Sequence, residues 1–519
     1  MHFAGKPIRR FSVGLIGTFA TIAGYAGCTG CNDASRTVDR GVQCPEEVVA
    51  PHMLPRQKAE HRSWRYWAAK YSGKAKEPLL SSGDFQTQRA AVARIKNGLG
   101  WSAGRWNVMR RRITARTLRN YLEESVASLI TRVRQNKRVL RGGTRPSKLI
   151  ERYQRFVAAA QLVVPGEFRL AIRETPLGCY PSAKGLYARV GAKSAGKAVD
   201  PAFNLNQCSR IFPGEIVRVL YRANDRWWLV HTSYAEGWVQ PPMLSAPLET
   251  MLAARFAAVQ GPSSMPLSVG KRYSSMTFDA DSVPLEDFAG KIIGYGRIGL
   301  VLPRAPLFRY ESVFDRWLSK PVSPWAWFPG ERGLVRVRRR ADHVRPTGII
   351  PLTRHALFRR AFALLDQPYG WGGRGGHRDC SRYMMDLFNG FDVQLPRNSL
   401  RQSVAGAENI DVSSFSETQK RRAIRKAAKR GAVLLYMKGH IALYLGSDTV
   451  AGQQFDFAIH ALYGYLTRCE GVRETLNRID RVAITSLDLG RGSSRKSYLQ
   501  RIQTLVVIGK PGISVGMTK

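Results

Sequence analysis

The spacing of apolar positions along the chain switches from helical to alternating and back. From Trp64 to Leu140 apolar residues recur at helical spacing, as in Leu118, Tyr121, Leu122, Val126 and Leu129, which predicts a helical segment over 61–150. Between about Leu162 and Leu244 short alternating runs are broken by Gly and Pro, as in "FPGEIVRVLYRANDRWWLVHTSYAEGWVQ", so a small β-barrel is expected over 151–248. A second all-β unit is expected over 262–352. Within it "GYGRIG" matches GxGxxG at Gly294, Gly296 and Gly299, but it runs into a strand ending in proline, whereas a dinucleotide-binding loop must open a helix. Residues 353–519 begin with "RHALFRRAFALLDQ", an amphipathic helix. Cys380 then precedes Tyr383, Met384, Leu387, Phe388 and Phe391, an apolar stripe on a helix that starts at or near the cysteine. "RGAVLLYMKGHIALYLG" reads as two strands around a Lys438-Gly439 turn, with His440 at the mouth of the second. "FDFAIHALYGYL" reads as the next strand, with His460 inside it.

The chain's N-terminal end follows a different pattern. Lys6, Arg9 and Arg10 precede an uncharged run from Phe11 to Asn32, which passes through Ala26-Gly27-Cys28, as in an export signal over 1–27. Residues 28–60 are polar and irregular and suit a tether. "YAGC" resembles the bacterial lipobox, which implies lipidation at Cys28; cleavage after Ala26 or retention as a membrane anchor are the open alternatives.

Charge narrows the partners. There are 81 Lys and Arg against 38 Asp and Glu, a net +43, which concentrates anionic partners near the surface. Thirteen of the basic residues lie between Trp101 and Ile150, against two Glu, so a basic helical face is expected there, either simply solvated or docked on an anionic surface. An exported protein meets the anionic cell envelope or a membrane surface. Nucleic acid is not an expected partner, since no groove-binding or single-strand-binding module accompanies the charge.

Of the seven cysteines, at 28, 31, 44, 179, 208, 380 and 469, Cys28 and Cys31 form a CxxC without a second pair at zinc-finger spacing. Cys179 and Cys208 share one module and can pair in an oxidising compartment, although sequence alone leaves the connectivity open. Cys380 differs, because a helix N-terminus carries partial positive charge and lowers a thiol's pKa, so a reactive thiolate is expected. The glycines around it, Gly372, Gly373, Gly375 and Gly376, are expected to leave room for a substrate backbone. A thiolate needs a base and the base an orienter; His440 and His460, on neighbouring strands, can serve as these two.

The motifs "PYGWGG", "DCS", "LPRNS" and "GHIALYLG", in that order, resemble the NlpC-type branch of papain-like cysteine peptidases, bacterial enzymes that cut cell-wall peptides. Gly237-Trp238-Val239 resembles the end of a bacterial SH3-like module. The whole arrangement is similar to the γ-D-glutamyl-L-diamino-acid endopeptidases. The resemblance implies a multidomain α+β chain, with a papain-like (NlpC-type) catalytic domain at 353–519 preceded by two SH3-like β-barrels and a helical N-terminal segment. It further implies Cys380 as nucleophile, His440 as general base and His460 as third member. Asp379 and Ser381 would bind the free amino group of an N-terminal L-Ala on a peptidoglycan stem peptide, and Tyr234 would close the pocket. Tyr369 would join the Cys380 backbone N–H in stabilising the oxyanion. No metal or cofactor is implied, and the chain carries no HExxH or comparable ligand cluster. One departure is Arg382, where the family commonly has Gly. Two rival readings remain: a non-catalytic peptidoglycan-binding protein whose site Arg382 spoils, and a related papain-like amidase or acyltransferase.

Overall fold

The computed structural model describes residues 52–71, 73–95, 113–136, 139–140, 146–158, 165–187, 202–260, 275–305, 323–331, 333–340, 350–468 and 474–510. The segment 1–27 read as an export signal, and Cys28, Cys31, Cys44 and Cys469, lie outside them.

The helical stretch read over 61–150 feeds two different cores. Helix α1 (Trp64–Ala69) and helix α2 (Ser82–Arg94) bring Trp67, Phe85 and Val92 onto the C-terminal sheet. Ser81 starts α2 through a capping box with Asp84, whose side chain accepts from the Ser81 N–H (3.1 Å). Residues 52–60, read as tether, are packed here too: Leu54 is buried in the same domain and the Arg56 guanidinium lies over the Phe455 ring. Helix α3 (Ala115–Asn136) and helix α4 (Pro146–Ala158) instead pack on the first β module. They bury Leu118, Leu122, Leu129 and Tyr153 against Leu220, Leu229 and Trp238. Between them β1 (Val139–Leu140) pairs antiparallel with β4 (Leu186–Tyr187).

The first β module contains β2 (Phe168–Leu170), β3 (Thr175–Gly178), β5 (Gln207–Ile211), β6 (Ile216–Asn224), β7 (Trp227–His231) and β8 (Glu236–Val239). They form a six-stranded antiparallel sheet in the order β2-β6-β7-β8-β3-β5. Alternate residues such as Val217, Val219, Val230 and Val239 fill its core. Cys179 and Cys208 form a disulfide across β3 and β5, with Cα atoms 5.1 Å apart. Helix α5 (Thr250–Gln260) leads into the second module. There β9 (Ser275–Thr277) pairs with β12 (Val301–Pro303), and β10 (Val283–Glu286), β11 (Ile292–Gly296), β13 (Trp325–Gly330) and β14 (Gly333–Arg339) make a four-stranded sheet. Phe256, Phe278, Leu302 and Phe328 close its core. Gly294 and Gly296 lie in β11 and Gly299 just before β12, so the GxGxxG run opens a strand, as its flanking residues predict.

The C-terminal domain carries helix α6 (Arg354–Phe362), helix α7 (Cys380–Asn389), the short helix α8 (Ser399–Gln402), helix α9 (Glu417–Ala428) and the short helix α10 (Tyr498–Arg501). Its strands are β15 (Glu408–Asp411), β16 (Gly431–Met437), β17 (His440–Val450), β18 (Gln453–Thr467), β19 (Thr475–Ser486) and β20 (Thr504–Gly509), ordered β15-β20-β16-β17-β18-β19. Strand residues alternate between two cores. Leu434, Leu443 and Ile459 face α1, α2, α6 and α7, whereas Leu435, Ala442 and Ala458 face α9 and α10. Among the described residues no helix is long and apolar enough to cross a membrane.

Candidate active site

Asp379 caps α7 by accepting from the Arg382 N–H at 2.9 Å, which leaves Cys380 as the first helical residue. The thiol is buried, only 7% exposed. Its pKa is not lowered, as the helix N-terminus alone predicts, but pushed up to about 12. Burial is the main cause and the adjacent Asp379 carboxylate the next; the N–H groups of Ile441 and Ser381 and the charge of Arg397 work in the opposite direction. At neutral pH the Cys380 side chain therefore rests as a neutral thiol.

Ile441 reaches the sulfur because of strand geometry. Met437 pairs with His440 across the Lys438-Gly439 turn and Tyr436 with Ile441, while the β17–β18 ladder starts only at Leu443↔Ile459. The Ile441 N–H, pointing away from β16, is thus free to serve the thiol. This sets His440 beside the nucleophile helix.

His440 Nε2 and His460 Nδ1 are 2.6 Å apart, and His460 Nε2 is 2.9 Å from Thr485 Oγ1 on β19. His460 is paired with Ala483, so Thr485 is its diagonal neighbour on the same face. The Tyr498 ring packs on both imidazoles, with centroids 5.9 Å from His440 and 5.1 Å from His460. Burial holds the His440 pKa well below the usual imidazole value, with help from His460, Arg501 and Arg495. Burial and Arg501 bring His460 to about 3. Both rings are thus neutral at physiological pH. If His440 Nδ1 is to accept a proton, its Nε2–H must donate to His460 Nδ1, and His460 Nε2–H to Thr485 Oγ1. One tautomer satisfies all three groups.

The charged side of the site differs from expectation. Asp379 and Ser381 do flank the nucleophile, yet Arg397 already holds both. Its Nη1 donates to Asp379 Oδ1 and Ser381 Oγ, each at 2.9 Å, and its Nη2 to Asp379 Oδ2 at 2.6 Å. Its Nε reaches Ser209 Oγ on β5 at 2.9 Å. Burial works to raise the Asp379 pKa, but Arg397 and the N–H groups of Arg382 and Gly372 outweigh it and hold the carboxyl below its ordinary range. Tyr234 does come to α7, where with Glu215 and Arg382 it lines a small cavity. Its ring lies 4.8 Å from the Arg382 guanidinium, and its hydroxyl donates to Glu215 Oε2 at 2.7 Å.

Arg382 itself points away from the thiol, into a buried ion network. It donates to Asp386 Oδ1 (2.7 Å), Glu215 Oε1 (2.9 Å) and Arg210 O (3.1 Å). Asp386 also accepts from Arg378, which grips Asp281 of the second β module through both Nη groups at 2.6 and 3.0 Å. Burial opposes ionisation of Asp281, but Arg378 holds its pKa at about 2.

Two glycines expected to clear space for substrate instead admit the first β module. A Cβ on Gly372 would sit 2.4 Å from Gln207 O, and one on Gly373 2.7 Å from Arg210 Cβ. Both have positive φ, 59° and 88°. Tyr369, at the head of this loop, packs against the core that contains Cys380, and its N–H donates to Asp480 O at 2.7 Å. Arg397, Ile441 and Thr485 are the site residues for which the sequence assigned no role; Arg397 and Ile441 lie in the motifs "LPRNS" and "GHIALYLG", whereas Thr485 lies in none.

A cysteine at a helix start with a histidine pair on adjacent strands defines a papain-like thiol site. Residues 366–464, which contain it, match the model of the NlpC/P60 family. Enzymes of that family are generally cysteine peptidases and hydrolases that act on peptidoglycan. An NlpC/P60 endopeptidase from Photobacterium damselae subsp. piscicida shares the fold: it is 13% identical, with 85% of this chain and 96% of that chain covered, at a TM-score of 0.60. An NlpC/P60 family protein from Bacillus cereus is 16% identical, with 66% of this chain and 100% of that chain covered, at a TM-score of 0.39. No curated protein matches the chain.

Proposed function

We propose that the chain is an exported cysteine peptidase that hydrolyses the bond between γ-D-Glu and the diamino acid of peptidoglycan stem peptides, with its two β modules acting as SH3-like partners of the catalytic domain. The observation that carries this reading is the hydrogen-bonded series His440, His460, Thr485 beside a buried cysteine at a helix N-terminus. Cys380 Sγ attacks the γ-carbonyl carbon as its proton passes to His440, giving a tetrahedral oxyanion. Collapse breaks the C–N bond, the leaving amine takes the proton from His440, and a thioester remains. Water, deprotonated by His440, then displaces the sulfur and the thiol is restored. The Cys380 backbone N–H and Tyr369 are the oxyanion donors in this scheme.

The Arg382 side chain is occupied by Glu215, Asp386 and Tyr234, which counts against a site spoiled by its charge. Export is supported by the N-terminal pattern and by the Cys179–Cys208 disulfide, which suits an oxidising compartment. The net charge of +43 fits an anionic envelope as the place of work. Digestion of an N-acetylated stem tripeptide and of purified peptidoglycan, with mass analysis of products, tests the reading. New fragments ending in D-Glu, absent with Cys380→Ala, are expected. Cleavage elsewhere, or undiminished turnover by Cys380→Ala, would refute it.

A further inference from the structure

Among the described residues, the two carboxylates of the site best suited to receive a substrate ammonium, Asp379 and Glu215, each already hold an arginine. Asp379 accepts from five donors: the N–H groups of Arg382 and Gly372, Ser381 Oγ, and Arg397 Nη1 and Nη2. A carboxylate offers about four lone-pair sites, so it has none to spare. Ser381 Oγ receives Arg397 as well. Glu215 accepts from Arg382, Tyr234 and the Phe212 N–H, and the Tyr234 face that could attract a cation is covered by Arg382.

The carboxylates here are paired before any ligand enters. Around α7 four guanidinium groups, of Arg297, Arg378, Arg382 and Arg397, face four carboxylates, of Glu215, Asp281, Asp379 and Asp386. An added ammonium would bring an uncompensated buried charge next to two cations, with neither Asp379 nor Glu215 free to pair with it. A neutral acyl group brings no charge, and its carbonyl oxygen suits a neighbourhood rich in N–H donors.

We infer that this site takes stem peptides whose N-terminal alanine is acylated, as it is while still joined to the glycan strand, and rejects those with a free amine. The inference rests on the reading of the site as a stem-peptide hydrolase. It places the reaction on the polymer, ahead of any reaction that frees the peptide's amino end.

Binding of two peptides to the full-length Cys380→Ala protein tests it by calorimetry: L-Ala-γ-D-Glu-diamino acid and its N-acetyl derivative. The acetylated peptide is expected to bind at least about tenfold more tightly at neutral pH, because like charges brought together cost several kcal/mol. Equal or tighter binding of the free amine, or binding of neither peptide, overturns the inference. With the wild-type chain the same preference is expected in kcat/KM. If the binding preference is seen but the wild-type chain hydrolyses neither peptide, the inference about the ligand stands and the proposed reaction falls. Arg382→Gly should narrow the preference by admitting the free amine, and an unchanged ratio in that folded variant would also count against the inference.

Discussion

On the strand side of Cys380 the working groups are neutral and held by hydrogen bonds, with burial as the largest influence on both imidazoles. On the helix side they are ions, each paired with an opposite charge, and two of these pairs, Arg378–Asp281 and Arg382–Glu215, cross a domain boundary. The contrast separates two tasks. The groups assigned to proton exchange are held in their neutral forms by burial, whereas groups that only fix position can be charged, provided each charge is compensated. In the proposed reaction the helix side sets where the thiol stands, and the strand side what becomes of its proton.

Removing the base should separate the two sides most sharply. His440→Ala is expected to lower kcat by about 10²- to 10⁴-fold on the N-acetylated tripeptide while leaving the melting temperature close to wild type. A comparable loss of stability would mean that the imidazole is part of the scaffold. The thiol itself offers a second test. Because its pKa is raised to about 12, the thiolate fraction should grow about tenfold per pH unit between roughly pH 7 and 10, and iodoacetamide labelling should follow it without a plateau. A plateau below pH 8 would show an ionised resting thiol and erase the distinction drawn here.

The helix side is probed by Asp386→Ala, which strips one carboxylate from Arg378, Arg382 and Arg297. Loss of one partner from a buried ion pair costs about 3–5 kcal/mol, measurable by denaturant titration. A change under about 1 kcal/mol would show that the ion network contributes no more than an exposed salt bridge. The smallest effect is expected at the end of the relay. Thr485→Val removes one hydrogen bond to His460, worth about 1 kcal/mol or roughly fivefold in kcat, and a loss as large as that of His440→Ala would give Thr485 a more direct role.

Local pattern made much of the catalytic domain legible. The stripe Tyr383, Met384, Leu387, Phe388 announces α7, and the apolar runs around Lys438-Gly439 announce the β16–β17 hairpin that carries His440. The partners of these residues were harder to read, because they lie far away along the chain. Arg382 meets Glu215 across 167 residues and Arg397 meets Ser209 across 188. Periodicity is blind to such pairs. The thiol's protonation was misjudged for a related reason: a helix terminus can be read from neighbouring residues, but burial by packed domains cannot, and burial has the larger effect on Cys380. Gly372 and Gly373 show the same limit, since their sequence announces a close approach without saying that β5 is what approaches.

The disulfide between Cys179 and Cys208 has a practical consequence for handling the protein. Cys208 sits in β5, the strand that lies on the loop leading to the nucleophile and supplies Ser209 to Arg397. Thiol reagents added to keep Cys380 reduced would also open this bridge and slacken that wall. An assay run in strong reductant would then protect the sulfur while loosening its surroundings, so the protein's working state is one in which one cysteine stays reduced while two others stay joined.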